Sequence, residues 1–204
     1  MPDFSLEKAT GGLVAGIDEA GRGPWAGPVV AGAAILDRAG LSGFLRRSLD
    51  DSKKLKRRRR EELLEALEAE ARIGIGVADV AEIDSLNILR ASLLAMARAL
   101  GDLGVVPDLA LVDGNQKPDL PCPVVCVVKG DGRSLSIAAA SIVAKVTRDR
   151  IMAELALAHP GYGWEHNAGY GTPEHQAALG RLGVTPCHRR SFAPVINILR
   201  QVSG

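Results

Sequence analysis

Apolar positions along the chain follow two different repeats, which separate strands from helices. Short runs of aliphatic residues, bounded by glycine, proline or charged residues, predict strands at 13–17, 29–36, 73–80, 109–112 and 124–128. Apolar residues spaced three and four positions apart predict helices at 58–71, 85–100, 134–158 and 173–182. Early strands are followed by helices that alternate with single strands. This order predicts an α/β fold, a mixed sheet with helices on both faces.

Two of the predicted helices carry end signals. Asp84 or Ser85 suits the N-cap of the second predicted helix, and Gly101 follows its end. Thr172 and Pro173 suit the N-cap and the first helical position of the last predicted helix. These signals set the helix boundaries that we expect.

Composition and length fit a soluble globular protein. The 204 residues are 47% hydrophobic and 24% charged, and no stretch approaches the roughly 20 apolar residues of a membrane span. The N-terminus has acidic residues and no apolar core of a secretory signal, so we expect a cytoplasmic protein with no membrane contact. Three cysteines without zinc-ligand spacing favour free thiols over disulfides or a zinc site. We expect a single domain over 12–204, with about 160–204 as a C-terminal loop and helical part.

Basic residues are concentrated in one segment, although the whole chain has a net charge of only +1. Nine basic and two acidic side chains lie between Arg46 and Arg60, and such a local patch on a near-neutral protein is typical of a polyanion site. The alternative is the solvated start of a helix. We expect Arg57 to Arg60 to be mostly solvated and Lys53 and Lys54 to be the candidates for phosphate contact.

Three of the predicted strands lead into acidic residues. These are Asp18 with Glu19, Asp113 and Asp131, and a glycine accompanies each. Taken alone, an Asp-Gly pair is a turn signal, and the adjacent acids are equally well explained by solvent exposure. If the three strands are neighbours in one sheet, however, four carboxylates converge at one edge and repel one another unless they are protonated or bound to cations.

Hard divalent cations would remove this repulsion. Mg²⁺ takes oxygen ligands, and two such ions about 3.5–4 Å apart form the clamp with which nucleases and polymerases act on phosphodiesters. Because successive strand residues point to opposite faces, Asp18 and Glu19 can share a site only if the chain bends or ends there. The convergence of acids on strand ends therefore favours a divalent-metal site.

Several motifs resemble those of the bacterial ribonuclease HII family. The matching stretches include "GIDEAGRGPWAGPVVAGAAIL", "DSKKL", "LVDGN", "VKGDGRSLSIAAASIVAKVTRDR", "GYGTPEH" and "HRRSFAPV", in family order from about Gly12 to Leu199. The resemblance implies a ribonuclease H-like fold, a five-stranded mixed sheet flanked by helices with a small C-terminal helical appendage. It also implies an endoribonuclease that cleaves the RNA of RNA–DNA hybrids and incises 5′ of single ribonucleotides embedded in duplex DNA, as in ribonucleotide excision repair. The implied chemistry is two-metal-ion hydrolysis with Mg²⁺ or Mn²⁺, which leaves 3′-hydroxyl and 5′-phosphate ends.

The resemblance assigns roles residue by residue. The family's four catalytic, metal-binding acids fall on Asp18, Glu19, Asp113 and Asp131. Its backbone loop for the ribose 2′-hydroxyl falls on Gly21, Arg22 and Gly23, its tyrosine for the sugar on the DNA side of the junction on Tyr170, and its phosphate-binding lysines on Lys53, Lys54 and Lys145. We expect Asp18 to be the ligand shared by both ions, and the protein to act as a monomer on RNA–DNA hybrid and ribonucleotide-containing duplex DNA.

Two other functions stay open at this point. A two-metal exonuclease or recombination nuclease would also need clustered acids, but it would cut an all-DNA duplex and would not need the Gly-Arg-Gly loop with Tyr170. A non-catalytic hybrid-binding protein would be marked by the loss of one acid, and all four are present. Cleavage of a duplex with one ribonucleotide, compared with its all-DNA twin, separates these functions.

Histidine and serine residues give no sign of catalysis. The histidines lack metal-ligand spacing, so we expect surface or loop positions for His159, His166, His175 and His188. No histidine is paired with the serines near the last acid, which favours helix capping or phosphate contact for Ser134, Ser136 and Ser141. Neither residue type changes the interpretation of the acids.

Overall fold

Five strands form one mixed sheet in the computed structural model, which describes residues 1–202 and their side chains through Arg200. Residues 203 and 204 of the expected domain lie outside the described part. The strands are β1 (Val14–Ala20), β2 (Val29–Leu36), β3 (Ala71–Ala78), β4 (Leu109–Asp113) and β5 (Val124–Val127). Across the sheet their order is β3-β2-β1-β4-β5. Strand β2 pairs antiparallel with β1 and β3, whereas β1, β4 and β5 run parallel, so the predicted mixed sheet is confirmed.

Helices alternate with the later strands and continue to the C-terminus. They are α1 (Ser5–Thr10), α2 (Gly43–Ser48), α3 (Arg57–Glu70), α4 (Val80–Leu86), α5 (Ile88–Asp102), α6 (Leu135–Ala158), α7 (Trp164–Asn167), α8 (Pro173–Leu182) and α9 (Ala193–Val202). Two short 3-10 turns lie at Ser52–Lys54 and Gly130–Gly132. Among residues 1–202, no helix is both long and apolar enough to cross a membrane.

The core has two layers because successive residues of a strand point to opposite faces of the sheet. On β2, Ala34 and Leu36 pack in one cluster with residues of α2, α3 and α6. Their neighbours Ala33 and Ile35 pack in the other cluster with residues of α4 and α5. Helices therefore cover both faces, as the order of elements predicts.

Helix α6 lies directly on the two central strands because glycine lets it approach. A Cβ atom on Gly16 of β1 would lie 2.1 Å from the backbone of Ser136, and one on Gly32 of β2 would lie 2.4 Å from the carbonyl oxygen of Ala140. Neither contact is possible for a side chain, so α6 is held at backbone distance from the sheet. Its next turns then run beside the end of β1, where the acidic residues begin.

The predicted helix at 85–100 is wrong at its start, because two helices meet there. Helix α4 begins with a capping box, in which Asp79 accepts from the N–H of Glu82 and Glu82 accepts from the N–H of Asp79. Asn87 then adopts φ +72° and caps α5 with its side chain. A left-handed residue breaks the hydrogen-bond ladder without disturbing the apolar repeat from which the single helix is predicted.

The remaining differences concern segment ends and short helices. Asp84 does not cap a helix, because it accepts from the N–H groups of Arg190 and Ser191 and fastens the C-terminal segment. Ser85 lies inside α4 and Gly101 inside α5. Helices α1, α2 and α7 have no predicted counterpart, since six residues or fewer are too short for a helical repeat to show. Helix α9 is also absent from the predicted elements.

The C-terminal part packs against the end of α6 and against the loop that follows β1. Trp164 and Leu179 are buried with Met152 of α6 and Ala26 of that loop. Backbone hydrogen bonds add to this contact, among them the N–H of Arg189 to the carbonyl of Trp25 and the N–H of Gly27 to the carbonyl of Cys187. The loop after β1 is therefore held by residues from the far end of the chain.

Candidate active site

The three parallel strands end at the same edge of the sheet, and each leads to an acidic residue. Ile17 of β1 lies opposite Val112 of β4, so Asp18 and Asp113 follow on neighbouring strands. Asp131 lies four positions beyond the end of β5, in the 3-10 turn Gly130–Gly132. We call Asp18, Glu19, Asp113 and Asp131 the acidic edge. The topology thus brings the four predicted acids to one end of the sheet.

Asp18 and Glu19 reach this edge in a different way from the one expected. Strand β1 neither bends nor ends at them, because its pairing with β2 continues through Ala20. The alternation of a strand directs their side chains to opposite faces. Both line a cavity of about 270 Å³, and Glu19 also lines a smaller cavity of about 60 Å³ together with Asp113. The two acids share one region because it lies at the rim of the sheet, which is accessible from both faces.

The acidic edge concentrates negative charge that Arg22 and Lys53 offset only in part. Burial raises the pKa of Asp18 well above its ordinary range, and the charges of Glu19, Asp113 and Asp131 raise it further. Burial also raises the pKa of Glu19, although the guanidinium of Arg22 opposes this. The pKa of Asp131 is raised in the same way, by burial first and then by neighbouring carboxylates. The charges of all three other acids act on the pKa of Asp18, so Asp18 lies at the electrostatic centre of the acidic edge.

Local donors hold the carboxylates of the acidic edge individually. The N–H of Glu19 donates to Oδ1 of Asp18 at 2.7 Å, and the N–H of Gly130 donates to Oδ1 of Asp113 at 2.6 Å. Within the described residues, no three His, Cys, Asp or Glu side chains stand in a metal-ligating arrangement. Four carboxylates repel one another, so their oxygens do not converge on a common position unless a cation binds between them. The donor set contains carboxylate oxygens and no thiol or imidazole, and it therefore fits a hard divalent cation such as Mg²⁺ or Mn²⁺.

Lys53 and Lys54 have different surroundings, although they are adjacent in sequence. Lys53 lines the 270 Å³ cavity; burial lowers its pKa, but the charges of Asp18 and other nearby acids outweigh this and raise it. Lys54 instead forms an exposed ion pair with Asp50 at 3.0 Å. The turn that carries them is tied to α6, because the hydroxyl of Ser141 donates to the hydroxyl of Ser52 at 2.7 Å. Lys53 is thus held over the acidic edge, whereas Lys54 is paired with Asp50 and does not line the cavity.

The basic segment before and within α3 is less solvated than expected. Arg59 donates to Glu62 and Ser48. Arg60 donates to the carbonyls of the turn that carries Lys53 and pairs with Asp149 at 3.1 Å. The expectation that the arginines at 57–60 are mostly solvated is therefore wrong for these two. Their hydrogen-bond partners come from other segments, so the sequence pattern does not reveal them.

Lys145 on α6 lies at the wall of the same cavity, with its charge already paired. Its ammonium group donates to Asp149, one turn further along the helix, and Asp149 also accepts from Arg60. Lys145 lines the cavity with Lys53 and Ser141. It is placed to meet a substrate, but it does not contribute a free charge.

The loop 21–23 and Tyr170 form the other side of the 270 Å³ cavity. The Tyr170 side chain is half-exposed, and its ring lies against Gly23, where an added Cβ would sit 3.4 Å from Cε1. Gly21 adopts φ +98°, and a Cβ there would lie 2.0 Å from Nε of Arg148. Only glycine fits this position, because both the backbone angle and the space exclude a side chain. The predicted substrate residues, except Lys54, thus line one cavity with Asp18 and Glu19 of the acidic edge.

Two histidines pack behind the segment that carries Tyr170. His175 and His188 are both fully buried, so the expected surface positions are wrong for these two residues. Nδ1 of His188 accepts from the N–H of Thr185, so its Nε2 carries the proton that faces Nε2 of His175 at 3.1 Å. Nε2 of His175 also accepts from the indole N–H of Trp164, and Nδ1 of His175 donates to the carbonyl of Tyr170 at 3.0 Å. Burial lowers the pKa of both rings, that of His188 to about 4. The chain of hydrogen bonds fixes the backbone that carries Tyr170.

Two arginines near the site were not singled out from the sequence. Arg148 of α6 and Arg189 of the C-terminal segment are fully buried next to the loop that follows β1. Arg148 could have been noticed, because it lies four positions before the core residue Met152, on one helical face with it. Arg189 carries no such signal, since it lies in a loop. Ser134 caps α6 as expected, through a bond from the N–H of Ile137.

Size alone does not identify the active site. A larger cavity of about 430 Å³ lies at the opposite end of β1 and is lined by residues such as Glu7, Arg38 and Arg72. It has no member of the acidic edge and no residue of the loop 21–23. The 270 Å³ cavity is smaller, but it combines two acids, two lysines and an exposed aromatic ring.

Known proteins resemble this chain over almost its full length. The family model for Ribonuclease HII matches residues 15–195. The ribonuclease HII of Paramagnetospirillum magneticum is 65% identical over 96% of this chain and 97% of its own length, and that of Rhodospirillum rubrum is 64% identical over 96% and 90%. The crystal structure of ribonuclease H2 from Pyrococcus horikoshii OT3 superposes with a TM-score of 0.79 at 29% identity, covering 94% of this chain and 99% of that one.

Proposed function

The chain belongs to the ribonuclease HII family, metal-dependent endonucleases that act on the RNA of RNA–DNA hybrids, and we propose that it also incises duplex DNA 5′ of single embedded ribonucleotides. The products would carry 3′-hydroxyl and 5′-phosphate ends. One observation carries the proposal: the loop 21–23, Tyr170 and members of the acidic edge line the same cavity. An enzyme that cleaves next to a ribonucleotide must bind metal ions and recognise ribose, and the groups proposed for both tasks line this one cavity.

The acidic edge is the proposed place for two divalent cations, Mg²⁺ or Mn²⁺. Asp18, Glu19, Asp113 and Asp131 would hold them, with Asp18 as the shared ligand because its pKa responds to all three other acids. Bound cations of this kind supply Lewis-acid activation of water near neutral pH and neutralise charge on the reacting phosphate. Lys53 would accompany them, since its ammonium group already lies over these carboxylates.

Recognition of the substrate would be divided between backbone amides, an aromatic ring and basic side chains. The peptide groups of the loop 21–23 would bind the 2′-hydroxyl, which is the group that distinguishes RNA from DNA at a single position. Tyr170, with its ring exposed beside Gly23, would pack against the neighbouring sugar. Lys53, Lys54 and Lys145 would contact phosphates and so contribute affinity without sequence preference.

A cleavage assay with matched substrates tests this function. The substrates are a duplex with one internal ribonucleotide, its all-DNA twin and a uniform RNA–DNA hybrid, each with and without Mg²⁺. We expect metal-dependent incision of the hybrid and of the single-ribonucleotide duplex on the 5′ side of the ribonucleotide, and none of the all-DNA twin. Equal cleavage of the all-DNA twin would indicate a DNA nuclease, and binding without cleavage would indicate a non-catalytic binding protein.

A further inference from the structure

Arg148 and Arg189 are buried cations whose hydrogen-bond acceptors are backbone carbonyls. Arg148 donates to the carbonyls of Ala26, Pro28 and Ala168, and neither arginine forms an ion pair with a carboxylate of the described residues. Burial lowers the pKa of Arg148 to about 10 and that of Arg189 to about 9. Taking a charge out of water is costly unless polar groups surround it. Such a costly arrangement next to a substrate loop calls for a functional reason.

Arg189 binds the loop 21–23 on its buried side. Its Nη2 donates to the carbonyl of Gly21 at 2.6 Å, and its Nη1 donates to the carbonyl of Arg22 at 3.0 Å. The same guanidinium also donates to the carbonyls of Gly27 and Pro28, at the far end of the connection between β1 and β2. One planar group therefore fixes two consecutive peptide groups at the wall of the cavity.

The orientation of those carbonyls determines where the loop's donors point. The described chain has no cis peptide bonds, and in a trans peptide the C=O of one residue and the N–H of the next point in opposite directions. With the carbonyls of Gly21 and Arg22 turned towards Arg189, the N–H groups of Arg22 and Gly23 point away from it. Neither N–H donates to an acceptor within residues 1–202. A cationic donor on a carbonyl also polarises the peptide, which makes its N–H a stronger donor.

We propose that Arg189 is the positioning residue for ribose selection: it orients the peptide groups after Gly21 and Arg22 so that two adjacent N–H groups face the cavity. The chemical group they fit is an oxygen acceptor at the 2′ position of one nucleotide. This inference rests on the proposed function of the loop 21–23. Arg189 itself does not contact the substrate in this arrangement, because it lies fully buried behind the loop.

Arg148 provides a matched control within the same chain. It is buried to the same degree and donates to three carbonyls, where Arg189 donates to four. Its side chain also lines the cavity and packs against Gly21, but its acceptors belong to Ala26, Pro28 and Ala168 and not to Gly21 or Arg22. Arg148→Lys therefore removes a comparable set of buried hydrogen bonds without releasing the two peptide groups. If general loosening of the loop were the whole effect, the two lysine variants would behave alike.

The test compares affinities for a duplex with one ribonucleotide and for its all-DNA twin, measured in EDTA so that no cleavage occurs. For Arg189→Lys we expect the ratio of the two affinities to fall by about tenfold, because two donors lose their alignment, with little change for the all-DNA duplex. For Arg148→Lys we expect a similar fall in melting temperature but a ratio within about twofold of wild type. An unchanged ratio in Arg189→Lys, or an equal loss in both variants, would overturn the inference.

Two further readings separate this inference from its premise and from misfolding. If wild type binds the ribonucleotide duplex and its all-DNA twin equally well, the proposed function of the loop 21–23 is wrong, whatever the variants do. If Arg189→Lys does not fold, ¹⁵N-labelled wild type replaces it, and we expect the amide signals of Arg22 and Gly23 to shift with the ribonucleotide duplex but not with its all-DNA twin. Amide signals that respond equally to both duplexes would overturn the inference without any variant.

Discussion

The acidic edge and the buried arginine pair both hold like charges close together, but they compensate them differently. At the acidic edge, burial and mutual repulsion raise the pKa of Asp18, and the structure supplies only local donors, Lys53 and the guanidinium of Arg22 beside Glu19. Around Arg148 and Arg189, the fold itself supplies backbone carbonyls for the guanidinium groups. The charges of the buried arginines are compensated by groups of the fold, so these side chains hold a loop in place. The carboxylates of the acidic edge are neutralised only in part and so attract a cation from solution.

Removing one charge from the acidic edge should abolish the chemistry while preserving the fold. In Asp113→Asn the Oδ1 atom can still accept from the N–H of Gly130, so we expect little change in melting temperature. Cleavage at saturating Mg²⁺ should fall by about a thousandfold or more, because a metal ligand contributes several kcal/mol to charge stabilisation. The exposed Asp119 provides the control, since Asp119→Asn should keep the wild-type rate. A near-normal rate in Asp113→Asn would remove Asp113 from the site.

The buried histidines should make stability depend on pH in a predictable direction. The pKa of His188 is lowered to about 4 by burial, while an unfolded chain binds the proton at its ordinary pKa of about 6.5. The unfolded state therefore binds more protons between these values, so the contribution of neutral His188 is full above pH 6.5 and is lost as pH falls towards 4. A shift of this size corresponds to about 3 kcal/mol.

The measurement is the difference in unfolding free energy between wild type and His188→Asn as a function of pH. We expect that difference to shrink by about 3 kcal/mol from pH 7 to pH 4. His166→Asn, at an exposed position, is the control for the substitution itself. A constant difference for His188→Asn would mean that this ring is not held neutral by the fold.

Tyr170 should affect the rate at a junction more than it affects stability. Because its side chain is half-exposed, Tyr170→Ala should change the unfolding free energy by only about 0.5 kcal/mol. Its single-turnover rate on a single embedded ribonucleotide should fall on the order of a hundredfold, since small misplacements of the reacting group are that costly. A uniform hybrid offers many registers and should lose less, and Tyr170→Phe should retain most activity. Equal losses on both substrates, with a lower melting temperature, would make Tyr170 a packing residue.

The lysines of the 3-10 turn should show the smallest effect, and it should be independent of sequence. Replacing both Lys53 and Lys54 by alanine should weaken binding about equally for unrelated duplexes. The slope of log affinity against log salt should flatten by roughly one unit per lost phosphate contact. Lys53→Ala should account for more of this than Lys54→Ala, because Lys54 is paired with Asp50 outside the cavity. An unchanged slope would place both lysines outside the interface.

The sequence predicts the sheet and the acids because their signals are local. Strand β2 and helix α8 have the predicted bounds, and each acid follows an apolar run whose direction the topology then confirms. The continuation of β1 through Ala20 is not predictable in this way, because glycine-rich sequence after Glu19 also permits a bend. Local pattern thus reveals which residues reach the edge, but not how they turn towards it.

The buried basic groups were missed because their partners are distant in sequence. Arg189 and Gly21 are separated by 168 positions, and the acceptor is a carbonyl, which every residue carries. His175 and His188 likewise depend on the fold of the C-terminal segment for their burial. A basic residue in a polar stretch predicts exposure, and only the packed structure shows that backbone oxygens surround it.

Thermal unfolding as a function of Mn²⁺ concentration tests most directly whether the acidic edge is the metal site. Ions that bind only the folded state raise the melting temperature with concentration. At pH 8 we predict this rise for wild type, and for Asp18→Asn a higher melting temperature without metal, because one repelling charge is gone, followed by a much smaller rise with Mn²⁺. An Asp18→Asn protein that starts below wild type and gains as much from Mn²⁺ would contradict the assignment of metal binding to this edge.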